Sequence, residues 1–181
     1  LEFRRVLFRS ELAMANRYQL LENLALALSR PGVDGVLGTP DIIDDLALLG
    51  CLEGKIVVGS LNRGGLRGAS FEMDDRITGY DINGIVRDKL DFAKMLNRIN
   101  LQDAGTLQML EYTARAVSEA AAAKLPIMLE PFMSEWVDGK IKNDLSTDAV
   151  IDSINIANGL GNSSAYTWMK LPVVENMARV M

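Results

Sequence analysis

The sequence predicts an α/β fold, a (β/α)8 TIM barrel present as an incomplete set of five strands, about strands two to six. Three observations lead there. Short apolar runs at 33–38, 55–60, 92–99, 126–132 and 164–172 alternate with stretches of helical period, the signature of βαβ units around a parallel sheet. No G-x-G-x-x-G or G-x-x-x-x-G-K follows any of them, which argues against an open dinucleotide- or nucleotide-binding sheet. Polar residues also recur on four different strands: Asn62 just past one, Lys94 through Arg98 on another, then Glu130 and Lys170. A barrel builds its sites from the C-terminal ends of several strands, and a full one takes about 250 residues.

Each element has a local reason. Residues 11–30 carry Leu21, Leu24, Ala25 and Leu28 on one stripe, and Pro31-Gly32 ends the helix. After the strand at 33–38, Thr39 is placed to cap a helix, Pro40 fits its first position and Gly50 closes it. The run at 55–60 is β-branched and apolar. Residues 61–76 form the longest irregular stretch, rich in glycine, with Arg63 and Arg67 placed to hold an anionic group or to pair with acidic neighbours. A short helix is expected over 82–89. On the strand at 92–99, alternation puts Lys94, Leu96 and Arg98 on one face and Met95 and Asn97 on the other. The helix at 103–124 is expected to bury Leu107, Leu110, Ala114, Val117 and Ala121. A strand then ends near Glu130, a polar loop carries Asp138-Gly139, and Ser146 caps a helix with Val150, Ile151, Ile154 and Ala157 at helical spacing.

Composition narrows the function. The chain has 19 basic and 24 acidic residues, a net charge of −5. Residues 1–10 hold three arginines and one glutamate and read as a translated sequencing-library adapter rather than native sequence, so residues 11–181, the expected partial barrel domain, are more acidic still. That balance, with no basic run, speaks against nucleic-acid or anionic-membrane partners. No apolar run approaches the roughly 18 residues of a membrane span. The single cysteine, Cys51, cannot form an internal disulfide and fits a buried helix position in a reducing, cytoplasmic setting. Histidine is absent, which removes the commonest metal ligand and the commonest acid–base side chain; no metal and no cofactor is expected.

The chemistry centres on Ser164-Ala165-Tyr166-Thr167-Trp168-Met169-Lys170-Leu171-Pro172, an aromatic-rich strand with one lysine before its proline stop. Lysine is rarely buried without a partner. An amine in an apolar pocket has a lowered pKa and becomes a nucleophile able to form a Schiff base; the alternative is a strand-end lysine snorkelling to water. Lys94 and Glu130 are either its catalytic partners or a structural ion pair.

The order Ala93-Lys94-Met95-Leu96, Met128-Leu129-Glu130-Pro131-Phe132 and Tyr166-Thr167-Trp168-Met169-Lys170-Leu171-Pro172 resembles the class I, Schiff-base aldolase superfamily, which includes tagatose-bisphosphate, fructose-bisphosphate and deoxyribose-phosphate aldolases. The stretches Gly59-Ser60-Leu61-Asn62-Arg63-Gly64-Gly65-Leu66 and Ala69-Ser70-Phe71-Glu72-Met73-Asp74-Asp75-Arg76 are similar to a bacterial aldolase-like branch linked to inositol catabolism. The resemblance implies Lys170 as the imine-forming residue, with Lys94 and Glu130 as catalytic partners. Asn62, Arg63, Arg98 and Trp168 are the expected substrate contacts. It implies a lyase acting on a sugar or sugar-phosphate, and leaves room for a homo-oligomer of the full-length protein. The competing expectations are a metal-dependent isomerase or epimerase and a non-catalytic sugar-phosphate-binding barrel. The first-strand acidic residue and the late-strand phosphate site of that superfamily are expected to lie outside this chain, leaving two open sheet edges, and residues 11–181 by themselves are expected to be inactive.

Overall fold

The computed structural model describes residues 16–62 and 69–181. Arg63 and Arg67, two of the expected anion contacts, lie outside the described residues. The elements run α1 (Arg17–Leu28), β1 (Gly35–Gly38), α2 (Pro40–Leu48), β2 (Ile56–Ser60), α3 (Ile82–Arg87), β3 (Phe92–Ile99), α4 (Gly105–Ala123), β4 (Ile127–Val137), β5 (Lys140–Asn143), α5 (Thr147–Asn158), β6 (Thr167–Met169) and α6 (Met177–Val180). Caps account for several boundaries. Asn16 and Ser146 accept from Gln19 and Ala149 backbone N–H groups, while Thr39 turns its hydroxyl to Asp41 and leaves Pro40 to begin α2. Gly50 follows α2 at φ 69°, the left-handed turn expected of a helix-ending glycine.

Strands β1, β2, β3, β4 and β6 pair in parallel, each with the next in chain order. An open doubly wound sheet reverses its strand order at a switch point; this one does not. A single cleft is lined by Val36 and Leu37 of β1 together with Trp168 and Met169 of β6. The first and last parallel strands therefore face a common space, and the sheet curls as part of a TIM-barrel-like α/β fold. No helix among the described residues is long and apolar enough to cross a membrane.

The two faces of the sheet are told apart by what fills them. A side chain at Gly59 would run into Ile85, Leu90 and Tyr80, and one at Gly38 into Ile43; these positions face the helices. Val57, Ala93, Met95, Ile127 and Leu129 join them there, packed with Ala116, Val117 and Ala120 of α4. The intervening residues, Val58, Ser60, Lys94, Met128, Glu130 and Trp168, point to the concave side. A smaller core of Leu21, Leu28 and Leu46 joins α1 to α2.

The structure corrects three expectations. The buried stripe of α4 is Thr106, Met109, Thr113, Ala116, Val117 and Ala120, so only Val117 of the expected set is buried, and Leu107 is 76% exposed. Small side chains face the strands because Met95 and Asn97 already fill the gap between α4 and β3. The strand carrying Glu130 does not stop there but continues to Val137, and Asp138-Gly139 turns it into an antiparallel hairpin with β5. Both turn residues have positive φ, 51° and 70°, the conformation that favours Asp-Gly in two-residue hairpins. Cys51 sits in a turn beyond α2, half-buried, because Gly50 has already ended that helix.

Candidate active site

Register brings three expected residues together. Ser60 lies opposite Lys94, Lys94 opposite Met128 and Leu96 opposite Glu130. On the far side Leu129 pairs with Met169, and the Lys170 N–H donates to the Leu129 carbonyl at 2.8 Å. Lys94 of β3, Glu130 of β4 and Lys170, the residue just past β6, thus emerge from three adjacent strands or their ends onto one face. Glu130 bridges the two lysines: its Oε2 lies 2.7 Å from Lys94 Nζ, and its Oε1 accepts a hydrogen bond from Lys170 Nζ. The side chains are 9%, 16% and 20% exposed for Lys94, Glu130 and Lys170. Burial drives the Glu130 carboxyl upward, but the charge of Lys94 and the hydrogen bonds from both lysines outweigh it and hold the group below the usual glutamate range. At neutral pH it is a carboxylate between two amines.

Around this bridge the remaining expected residues divide. Trp168 stands one inward step before Lys170, 58% exposed, and meets Phe92 edge-to-face with ring centroids 5.7 Å apart. The cleft below, about 410 Å³, is walled by Leu37, Ile56, Val58, Met128 and Trp168, with Lys170 at its rim. Arg98 is buried and committed: its Nε and Nη2 reach the Asp75 carboxylate at 2.9 and 2.6 Å, and Nη2 also donates to the Glu72 carbonyl. The carboxamide of Asn62, expected at the substrate, is spent on backbone, bonding the Asp75 carbonyl and both polar groups of Leu96.

Asp75 was not singled out in the sequence. It is fully buried, and burial pushes its carboxyl up while Arg98 opposes the shift. The available signal was a second acidic residue in Met73-Asp74-Asp75-Arg76 within reach of an arginine on a neighbouring strand. Among the described residues no group of histidine, cysteine, aspartate and glutamate is arranged to hold a metal ion.

The chain matches the Cgl0159-like family over residues 6–181. It belongs to that family. The crystal structure of Cgl0159 from Corynebacterium glutamicum (Brevibacterium flavum) is 73% identical and superposes with a TM-score of 0.93, covering 97% of this chain and 60% of that one. This Cgl0159-like chain therefore spans 60% of that relative's length. More distant is an archaeal fructose 1,6-bisphosphate aldolase, 18% identical with a TM-score of 0.55 over 80% of this chain and 54% of that chain. A Schiff-base-forming fructose-1,6-bisphosphate aldolase, also 18% identical, gives 0.53 over 83% and 54%. At that identity the likeness shows a shared fold. No curated protein matches the chain.

Proposed function

We propose that this Cgl0159-like chain carries the imine-forming site of a class I aldolase, a lyase that makes or breaks a C–C bond of a sugar or sugar-phosphate. The observation that supports the reading is the Glu130 carboxylate held between Lys94 and Lys170, on a fold shared with Schiff-base aldolases. Glu130 takes a proton from the Lys170 ammonium, leaving a neutral amine whose lone pair attacks the substrate carbonyl carbon. The proton on nitrogen passes to the former carbonyl oxygen, giving a neutral carbinolamine. Protonated Glu130 then returns its proton to that hydroxyl, which leaves as water, and a protonated imine remains on Lys170. In cleavage, a base removes the proton of the β-hydroxyl, the Cα–Cβ bond breaks, and its electron pair flows into the imine to form an enamine. Lys94 stays on the other carboxylate oxygen and fixes its orientation. Trp168 supplies an apolar wall on the same face.

The test, made on the chain extended to the length of its Corynebacterium relative, is reduction with borohydride in the presence of dihydroxyacetone phosphate, followed by peptide mapping. A stable adduct on Lys170 is the expected result. An adduct on Lys94 would reverse the two lysine roles, and no adduct on either would overturn the reading.

A further inference from the structure

Strand β3 is eight residues long and its neighbour β2 only five. The ladder between them ends where Ser60 pairs with Lys94, and the Leu61 N–H closes it on the Lys94 carbonyl at 2.8 Å. Beyond that point the edge of β3 facing β2 has no strand to bond. The N–H and C=O of Leu96 and the N–H of Arg98 would be orphans in a buried region, which folded proteins avoid. Side chains take over instead. Asn62 Oδ1 accepts from the Leu96 N–H at 2.9 Å, and Asn62 Nδ2 donates to the Leu96 carbonyl at 2.8 Å, so one carboxamide imitates a strand residue. The next rung is Asp75, whose Oδ2 accepts from the Arg98 N–H at 2.9 Å while the same carboxylate holds the Arg98 guanidinium. The two rungs are joined, because Asn62 Nδ2 also donates to the Asp75 carbonyl at 2.6 Å. Both residues are buried.

We infer that Asn62 and Asp75 are positioning residues: they complete the open edge of β3 and thereby hold Lys94, two residues before Leu96 on the same strand, against the Glu130 carboxylate. This rests on the imine-forming reading of the site and assigns Asn62 a role through the backbone of β3. A carboxylate that must take a proton from Lys170 and return it to the carbinolamine hydroxyl is only as well placed as the amine holding its other oxygen, and misplacement by about 1 Å can cost 10²-fold in rate.

The experiment compares Asn62→Ala and Asp75→Asn with Asn97→Ala. Asn97 lies on the same strand, fully buried, but faces α4 and bonds Thr113; its loss loosens β3 without touching the open edge. Borohydride trapping of dihydroxyacetone phosphate on Lys170 is followed against substrate concentration, with amide hydrogen exchange at Leu96 and Arg98. Asn62→Ala and Asp75→Asn should lower the saturating trapping rate by about 10²-fold, keep the half-saturating concentration within about twofold and speed exchange at those two amides. Asn97→Ala should keep the saturating rate. Wild-type rates in the two edge variants, or an equal loss in Asn97→Ala, overturn the positioning role while leaving the imine reading intact. No adduct in the wild type overturns both. Should Asn62→Ala fail to fold, near-isosteric Asp75→Asn decides on the same criteria.

Discussion

The two faces of β3 put neighbouring residues into opposite environments. Toward the helices, Ala93, Met95, Asn97 and Ile99 are wholly excluded from solvent, and the polar Asn97 is held by Thr113 and set against Met109. Toward the concave side, Lys94 and Arg98 each meet a carboxylate from another segment, Glu130 and Asp75. A buried charge is costly unless paired and hydrogen-bonded. The concave face meets that condition with partners from neighbouring strands and loops, so its order depends on register. The helix face depends on volume and shape. Substitutions on the two faces should therefore fail differently: rate first on one, stability first on the other.

The largest effect is expected at Lys170. Arginine there keeps the positive charge but cannot form an imine, so Lys170→Arg should lower turnover by at least about 10⁴-fold with the fold retained. Steady-state kinetics and the thermal melt check both halves. Near-normal turnover would remove the basis for separating the faces by chemistry.

Glu130→Gln comes next. Losing the proton shuttle should cost about 10²–10⁴ in rate, and this variant also carries a pH signature. The Glu130 carboxyl lies below its ordinary value in the folded chain, so it contributes stability that is present above the unfolded value of about 4.3 and is lost as pH falls through the lower folded value. Denaturant midpoints should therefore separate wild type from Glu130→Gln at pH 7 and converge in acid. A constant gap across that range would mean that the bridge between the lysines contributes nothing through its charge.

Much of the concave face was legible in the sequence. Period-two alternation assigned Lys94 and Arg98 to one side and Asn97 to the other, and the strand order placed Glu130 between two lysine-bearing strands. What the sequence did not reveal depends on relative lengths and returns of the chain. That β3 outruns β2 is invisible until the strands are paired, so Asn62 read as a ligand contact and Asp75 as one acidic residue among several. The hairpin after Glu130 did carry its signal in Asp138-Gly139, which read as a polar loop rather than as a two-residue turn. Pro131 is tolerated in β4 opposite Asn97. Leucines drew the expected stripe of α4 to one side of the helix, whereas the strand residues beneath leave room only for threonine, alanine and valine beside Met109.

On the helix face the effects should be thermodynamic. Met109 is almost completely buried against Asn97 and Thr113, so Met109→Ala should cost about 2–5 kcal/mol and leave the saturating rate of the surviving folded protein unchanged. Chemical denaturation measures the first and kinetics on the folded fraction the second. A rate loss as deep as that of Glu130→Gln would show that the faces are coupled through β3.

The smallest effect sharpens the same comparison from the outside of α4. Leu107 sits two residues before Met109 and is the larger-looking core candidate in the sequence, yet it is 76% exposed. Turning it to solvent forgoes most of the burial that a leucine can gain, so replacing it removes little. Leu107→Gln puts in an unbranched, helix-compatible side chain and should change stability by no more than about 0.5 kcal/mol, as surface substitutions generally do. The denaturation midpoint of Leu107→Gln, set beside that of Met109→Ala, measures how sharply the helix divides. A loss above about 2 kcal/mol at Leu107, of the size expected for a buried leucine, would mean that α4 is rotated from the placement described, with the leucine stripe turned inward and the Thr113–Asn97 contact broken.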